Sequence, residues 1–319
     1  MPFHMKIKPI NLKDIRAYPL HKRPSKVSVD DFGKVFHKGS SFLTFLESLP
    51  HILSAKELRE LVSSVALAFH QKRTIVFGLG AHVMKVGLNP IVIDLMERNI
   101  ISAIAMNGAG IIHDAEIAMV GTTSENVEST LVEGSFGMAK ETGEGLNLAI
   151  SEGSKFGMGL GESVGNWLIK ENFPHNNLSI LAAGVRLEIP VTVHVAIGTD
   201  IIHTHPSMDG AAVGAASHLD FRTFCSIIAT LEGGIYMNLG SAVILPEIFL
   251  KALSVIRNLN LKLENFITVN MDFIRHYRPL KNVVERPTKM GGKGYNFIGH
   301  HEIMFPLFAA ALIEEIEKN

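Results

Sequence analysis

Cysteine is almost absent from this chain: Cys225 is the single one among 319 residues. One thiol cannot build an intrachain disulfide framework, so the fold must rest on its core, and a reducing compartment is expected. Long apolar runs are missing too. No stretch reaches the roughly 20 residues that a membrane span needs, and the N-terminus has no uninterrupted hydrophobic segment of the secretory kind. An excess of one charge is also lacking. The formal net charge of −1 gives no electrostatic reason to expect nucleic acid or anionic lipid as a partner. What is present is 47% hydrophobic residues against 19% charged ones, which describes a globular chain able to bury a sizeable core. The expectation is a cytoplasmic α/β protein whose partner is a small molecule.

Thr74 to Gly121 organises the rest. A short apolar run, Thr74–Leu79, ends in small residues at Gly78, Gly80 and Ala81. Val83, Val86, Ile91, Ile93, Leu95 and Met96 follow at roughly helical spacing. A second apolar run, Ile100–Met106, ends in Asn107-Gly108-Ala109-Gly110. The pattern predicts a strand, a crossover helix and a parallel strand. Both turns then lie at the carboxyl edge of a sheet, where open α/β folds bind ligands on helix N-termini and bare amides. The glycines alone are a weak signal, because Val83 stands where a strict dinucleotide fingerprint has its third glycine.

Residues 1–40 differ in character from the rest of the chain. Lys6, Lys8, Lys13, Arg16, Lys22, Arg23, Lys26, Lys34 and Lys38 outnumber Asp14, Asp30 and Asp31, and Pro9, Pro19 and Pro24 oppose a long helix. They read as a basic arm, laid on the surface or reaching a neighbouring subunit. Phe42–His70 reads as a helix pair, with Ser54 and Glu57 resembling a capping box. Nine glycines between Thr122 and Gly165 weaken long helices there and suggest a mobile or closely packed insertion. Pro190–Ile197, Ile235–Leu239 and Asn265–Met271 read as further strands, with helices over Ala215–Thr230, Pro246–Arg257 and Ile303–Glu317. At least five strands alternating with helices predict a Rossmann-like, doubly wound, mostly parallel sheet, with 41–319 as one domain.

Imidazoles gather at the expected carboxyl edge. His82 and His113 follow the first two strands, Asp200, His203 and His205 follow a later one, and His300-His301 precede the last helix. Any one of them is more often an ordinary hydrogen-bonded histidine, but their common address marks a site. Two chemistries remain open. Histidines such as His113 and His205 can act as general acid and base beside a nicotinamide. Alternatively, His203 and His205 with His113, Asp114 or Asp200 can hold a metal that activates water. Lys289 and Lys293, in a glycine-rich stretch from Arg286 to Tyr295, are candidates to contact an anion or to attack a carbonyl.

From about Leu43 onward the chain resembles deoxyhypusine synthase. TIVFGLGAHVMKVG resembles that family's first strand and nucleotide turn, and MNGAGIIHD resembles its Thr-Ala-Gly-Gly stretch. IPVTVHVAIGTD is similar to its Ile-Pro-Val strand ending in Thr-Asp-Gly, YMNLGSAVILPEIF to its glycine run before a helix, and HHEIMFPLFAAALIEEIEK to its closing Phe-Pro-Leu helix. The resemblance implies a Rossmann-like sheet, NAD as cofactor, and a homotetramer with active sites at subunit contacts. It would seat a pyrophosphate on Gly80, Ala81 and His82 and on Asn107, Gly108, Ala109 and Gly110. Thr199 and Asp200 would then lie near the ribose or nicotinamide, Gly240 and Ser241 would form the opposite wall, and Asp114, His300 and His301 would complete the binding set. The family's lysine lies in a Trp-Gly-Lys context that is missing here, since the one tryptophan is Trp167. The histidine of its glycine-run helix aligns with Pro246. The resemblance therefore implies a divergent NAD-dependent transferase or oxidoreductase acting on a small amine or related metabolite, of which ordinary deoxyhypusine synthesis is not expected.

Overall fold

A computed structural model describes residues 7–318, so Lys6 of the basic arm lies outside the described residues. The chain divides into two compact units, Met1–Lys56 and Glu57–Asn319. This boundary falls later than residue 40 because the first helix groups with the arm.

In the first unit most of residues 7–40 are exposed, with single 3-10 turns at Leu20–Lys22 and Val29–Asp31. Ser28 caps the second turn: its amide donates to Asp31 Oδ2 at 2.8 Å, and its hydroxyl oxygen accepts from the Asp30 amide at 3.3 Å. Helix α1 (Phe42–Ser48) is capped by Ser41, whose Oγ accepts from Thr44 N at 3.2 Å. The edge of Phe45 meets Phe36 at 6.1 Å. Helix α2 covers Leu53–His70. Ser54 therefore lies inside its first turn rather than at a cap position.

The second unit is built on β1 (Ile75–Leu79), β2 (Ala103–Asn107), β3 (Val191–His194), β4 (Ile235–Leu239), β5 (Ile267–Asp272) and β6 (Lys293–Ile298). All neighbours pair in parallel, in the order β3-β2-β1-β4-β5-β6. This is a Rossmann-like sheet. Every strand therefore delivers its carboxyl end to one edge, and the order reverses between β1 and β4. The connections are α3 (His82–Lys85) and α4 (Asn89–Glu97) after β1, then α5 (Gly108–Val120), α6 (Val127–Glu133), α7 (Lys140–Lys155), α8 (Leu160–Glu171) and α9 (Ile180–Arg186) after β2. Helix α10 (Gly210–Ala229) follows β3 and α11 (Ile244–Asn258) follows β4. A short α12 (Tyr277–Pro279) and a π-helical turn (Leu280–Glu285) follow β5, and α13 (His301–Ile316) closes the chain. Among the described residues no helix is long and apolar enough to cross a membrane.

Both sheet faces are covered, as a parallel sheet requires. Tyr236 stacks on Phe249 of α11 with ring centroids 3.9 Å apart, while Phe77 meets Phe305 of α13 edge-on at 6.1 Å. Asn238, Asn270 and Asn296 share one register across β4, β5 and β6 and form an amide ladder, with bonds of 2.8 and 2.9 Å.

The glycine-rich insertion is helical, contrary to the sequence expectation. Several of its glycines are close contact points with other segments. A Cβ on Gly145 would fall 2.7 Å from the Trp167 ring, one on Gly143 2.5 Å from the His205 ring, and one on Gly165 2.8 Å from the Leu181 carbonyl oxygen. Close packing outweighs the helix penalty of glycine, about 1 kcal/mol each.

Two buried carboxyls sit among these helices. Asp114 accepts from Ser179 Oγ at 2.5 Å, Ile180 N at 2.8 Å, Leu181 N at 3.1 Å and Asn89 Nδ2 at 3.0 Å. Asp220 accepts from Val193 N at 2.8 Å and Gly161 N at 3.1 Å. Burial nevertheless pushes Asp114 up to about 6 and Asp220 up to about 7. A carboxyl whose pKa is raised on folding contributes stability below its unfolded value, and that contribution is lost as pH rises through the folded value. Stability should therefore decline between about pH 4 and 7. At about 1.4 kcal/mol per pH unit, Asp220 accounts for roughly 4 kcal/mol of that decline. Denaturant melts of Asp220→Asn at pH 4 and pH 8 should show a difference smaller by about that amount than in the unmodified chain. Equal differences would mean that Asp220 is ionised throughout.

Candidate active site at the carboxyl edge

The site begins where the sheet order reverses. Gly80 N donates to Leu239 O at 2.8 Å, and Gly240 N donates to Met271 O at 3.0 Å. A Cβ on Gly80 would fall 2.5 Å from the Gly240 carbonyl carbon and 2.9 Å from Ser241 N, with the Gly240 oxygen nearer still. The two turns thus pack backbone against backbone. Gly240 itself has φ +67°, and a Cβ there would meet His301 Nε2 at 2.9 Å.

Side chains from α3, the end of β5 and the start of α13 adjoin it. The His82 ring lies 5.5 Å from both His301 and Phe273, and Phe273 lies 6.2 Å from His301. His301 Nε2 is 3.2 Å from Met271 O, so this nitrogen donates and Nδ1 keeps a lone pair. That Nδ1 is buried and has no partner. Burial lowers the His301 pKa, against the opposing field of Asp272. Asp272 ends β5 and is buried, its Oδ1 accepting from Phe273 N at 2.8 Å. His300 is exposed and 3.8 Å from Glu302. Exposed Val243, Phe273, Ile274, Ile298 and Ile303 form an apolar rim on this side.

On the other flank, Asn107 Oδ1 accepts from Gly110 N at 3.1 Å. The Asp200 carboxylate fills the space beside Gly108, where an added Cβ would fall 2.1 Å from Oδ2. Asn107 thus caps α5 and takes up one of the amides expected to seat a pyrophosphate, that of Gly110. Asp200 Oδ2 is buried without a partner, and burial raises the group's pKa against the opposing effect of His203. His203 Nδ1 accepts from Gly198 N at 3.2 Å and Asp200 N at 3.4 Å, so its proton sits on Nε2, which is buried and unpartnered. Thr199 Oγ1 donates to Ala196 O at 2.7 Å.

His113, on α5, is half-buried. Thr123 Oγ1 donates to Glu116 Oε2 at 2.5 Å and therefore accepts from His113 Nδ1–H at 2.7 Å. Thr142 Oγ1 donates to Glu116 Oε1 at 3.1 Å. This line fixes one tautomer and leaves a lone pair on His113 Nε2. Burial lowers the His113 pKa, Glu116 opposes that, and Lys85 of α3 adds to it. Glu116 and Thr123 also line a chamber of about 870 Å³, with Glu125, Glu141, Glu144, Trp167 and Phe173 around it. Trp167 and Phe173 meet at 5.2 Å. No lysine or arginine is among the described lining residues.

Several sequence candidates lie elsewhere. Asp114 is interior and caps α9, so all its acceptor capacity is used by protein donors. Lys293 opens β6 opposite Ile267 and so sits at the amino edge, paired with Glu60 at 2.6 Å. The Glu60 bond pushes its pKa up to about 12, the reverse of what an amine nucleophile needs. Exposed Lys289 precedes it in a 3-10 turn on that same edge. His205 Nδ1 bonds Ser207 Oγ at 2.7 Å and its ring packs on Gly143. Among the described residues no three His, Cys, Asp or Glu side chains group as a metal site requires, so His113, His203 and His205 do not assemble one. Sequence reading missed Asp272, although it directly follows a recognised strand on the ligand-binding edge. Glu116 was missed as well, one helical turn after His113.

The sequence matches no protein family profile and no curated protein. Solved structures are similar. A candidate deoxyhypusine synthase from Entamoeba histolytica superposes with a TM-score of 0.52 at 14% identity, over 90% of this chain and 98% of that one. Unliganded AgrE gives a TM-score of 0.50 at 15% identity, over 83% of this chain and 34% of its own. ArgZ, a cyanobacterial arginine dihydrolase, gives 0.46 at 14% identity, over 82% and 31%. The chain thus spans about a third of the length of ArgZ and AgrE. At these identities the likeness concerns the fold.

Proposed function

We propose that this chain is a nicotinamide-dinucleotide-linked enzyme of the deoxyhypusine synthase-like kind, a transferase or oxidoreductase acting on a small amine. The observation that carries the reading is His113, an imidazole held by Thr123, which bonds Glu116, both of them lining an acidic and aromatic chamber. Helix α5, which carries His113, starts at the ligand-binding edge of the doubly wound sheet. Carboxylates and ring faces together suit an organic cation, each cation–π contact contributing about 0.5–2 kcal/mol.

The sugar end of NAD fits residues on this edge. Asp200 Oδ2 and His301 Nδ1 are buried acceptors without partners, and hydroxyl or amide donors of the cofactor would satisfy them. Bound NAD would supply hydride acceptance or donation. The chain's own residues do the rest. Glu116 and Thr123 hold the tautomer, and His113 Nε2 takes a proton from the substrate amine or hydroxyl. Glu125, Glu141 and Glu144 offset the cation's charge, and the apolar rim near His301 limits access of water. Lys289 and Lys293 take no part.

Trp167 is the one tryptophan of the chain and lines the chamber, so its fluorescence reports occupancy directly. Titration with a linear diamine should shift the emission, and Glu141→Gln with Glu144→Gln should weaken binding about tenfold, the scale of a charge-assisted contact. An emission that does not respond to millimolar amine would remove the amine from this reading.

A further inference from the structure

A second cavity lies apart from the chamber. It holds about 470 Å³, within the roughly 300–1,000 Å³ typical of small-ligand pockets. The start of α8, the end of α9 and the middle of α10 enclose it against β3, the strand at the sheet margin. Leu181, Val185 and Leu219 give it apolar walls, and no lysine, arginine or histidine is among its described lining residues.

One lining group is a carboxyl that is only 4% exposed, that of Asp220. The bonds from Val193 N and Gly161 N both fall on Oδ2. Oδ1 takes neither and is turned toward Gly159 of the cavity wall, whose Cβ position lies 1.9 Å from it. Exposed Glu162 and Glu188 line the same cavity. Burial opposes ionisation of Asp220, and Glu162 adds to that opposition. A cation beside Oδ1 favours the charged form and offsets both effects. Carboxylates among apolar walls suit an alkylammonium ion, whose head takes charge-assisted bonds while its chain packs on the walls.

Helix α8 contributes to both cavities. Asn166 lines this one, and Trp167, the next residue, lines the chamber. We propose that the cavity between α8, α9 and α10 is a second site, holding a small alkylammonium ion on Asp220, and that its occupant adjusts the chamber through α8. Binding here stands independently of the activity proposed above, and only the consequence for that activity rests on it.

The test titrates the full chain with n-butylammonium chloride, against sodium chloride of equal ionic strength. It is run at pH 8, above the value of about 7 to which burial pushes Asp220. Methyl resonances of Val185 and Leu219 should shift saturably. Asp220→Asn keeps an oxygen for both amide bonds, and it should weaken this response at least about tenfold. Glu162→Gln with Glu188→Gln alters exposed side chains alone and should weaken it about threefold. That pair decides the matter if Asp220→Asn fails to fold. Glu141→Gln with Glu144→Gln, which impairs the chamber, should leave the methyl response unchanged, and Trp167 emission should still move as the cavity fills. No saturable methyl shift at millimolar amine, equal shifts in sodium chloride, or full affinity in folded Asp220→Asn or in the Glu162 and Glu188 pair would each overturn the site. Loss of the shifts in the Glu141 and Glu144 variant would overturn it too, and unmoved emission would overturn the coupling. Methyl shifts in a chain whose chamber ignores diamine would remove the proposed activity and leave this site standing.

Discussion

Gly80→Ala should cost the sheet unit about 3 kcal/mol or more. The added Cβ would meet the carbonyl of Gly240 and the nitrogen of Ser241, all of them backbone atoms. A crowded side chain can change rotamer, but these turns cannot. Gly80 N and Gly240 N are both tied to neighbouring strand ends, Leu239 O and Met271 O. Relief would require β1 and β4 to separate at the reversal of the sheet. Gly214→Ala is the matched control, because Gly214 lies within α10 with nothing near its Cβ position. Its helix propensity gain should stabilise by roughly 0.5–1 kcal/mol. Denaturant midpoints of the two variants should move in opposite directions. A Gly80→Ala protein as stable as the parent would show that the two turns do not pack as described.

His113→Ala should lower turnover about 10²- to 10⁴-fold, the usual range for losing a general acid or base. The neighbours of His113 allow a sharper test than the loss itself. Burial lowers its pKa, so the acid limb of the rate profile should lie below the ordinary histidine value of about 6.5. Thr123→Val removes the oxygen that accepts from Nδ1–H and leaves the imidazole in place. Its turnover should fall by a smaller factor, about tenfold, with the acid limb displaced. The assay is amine-dependent formation of reduced nicotinamide, followed by absorbance. Unchanged turnover in His113→Ala would exclude it from the chemistry.

The sheet was largely legible because burial on both faces imposes continuous apolar runs, and Ile235–Leu239 matches its strand end to end. β6 was not legible. KGYNFI lies on the sheet margin with alternating burial and opens on an exposed lysine, so its glycines and charges read as a basic loop. Asp114 misled for a related reason. It sits seven residues beyond Asn107 on a helix that begins at the edge, but its side chain points to α9, and helical phase is not set by distance from the turn. The insertion's glycines showed in the sequence, whereas their partners, such as Trp167 for Gly145, are long-range contacts that no local pattern carries. The carboxyl edge could be read in advance from the strand ends. The close approach of Asp200 to Gly108 could not, since it depends on two loops meeting.

The most direct test of the account is calorimetric titration of the full chain with NAD, beside Asp200→Ala. The account predicts saturable binding at millimolar cofactor or below, weakened by about 1–3 kcal/mol in the variant, the scale for losing a charge-assisted hydrogen bond. Absence of binding by the unmodified chain at millimolar NAD would contradict it.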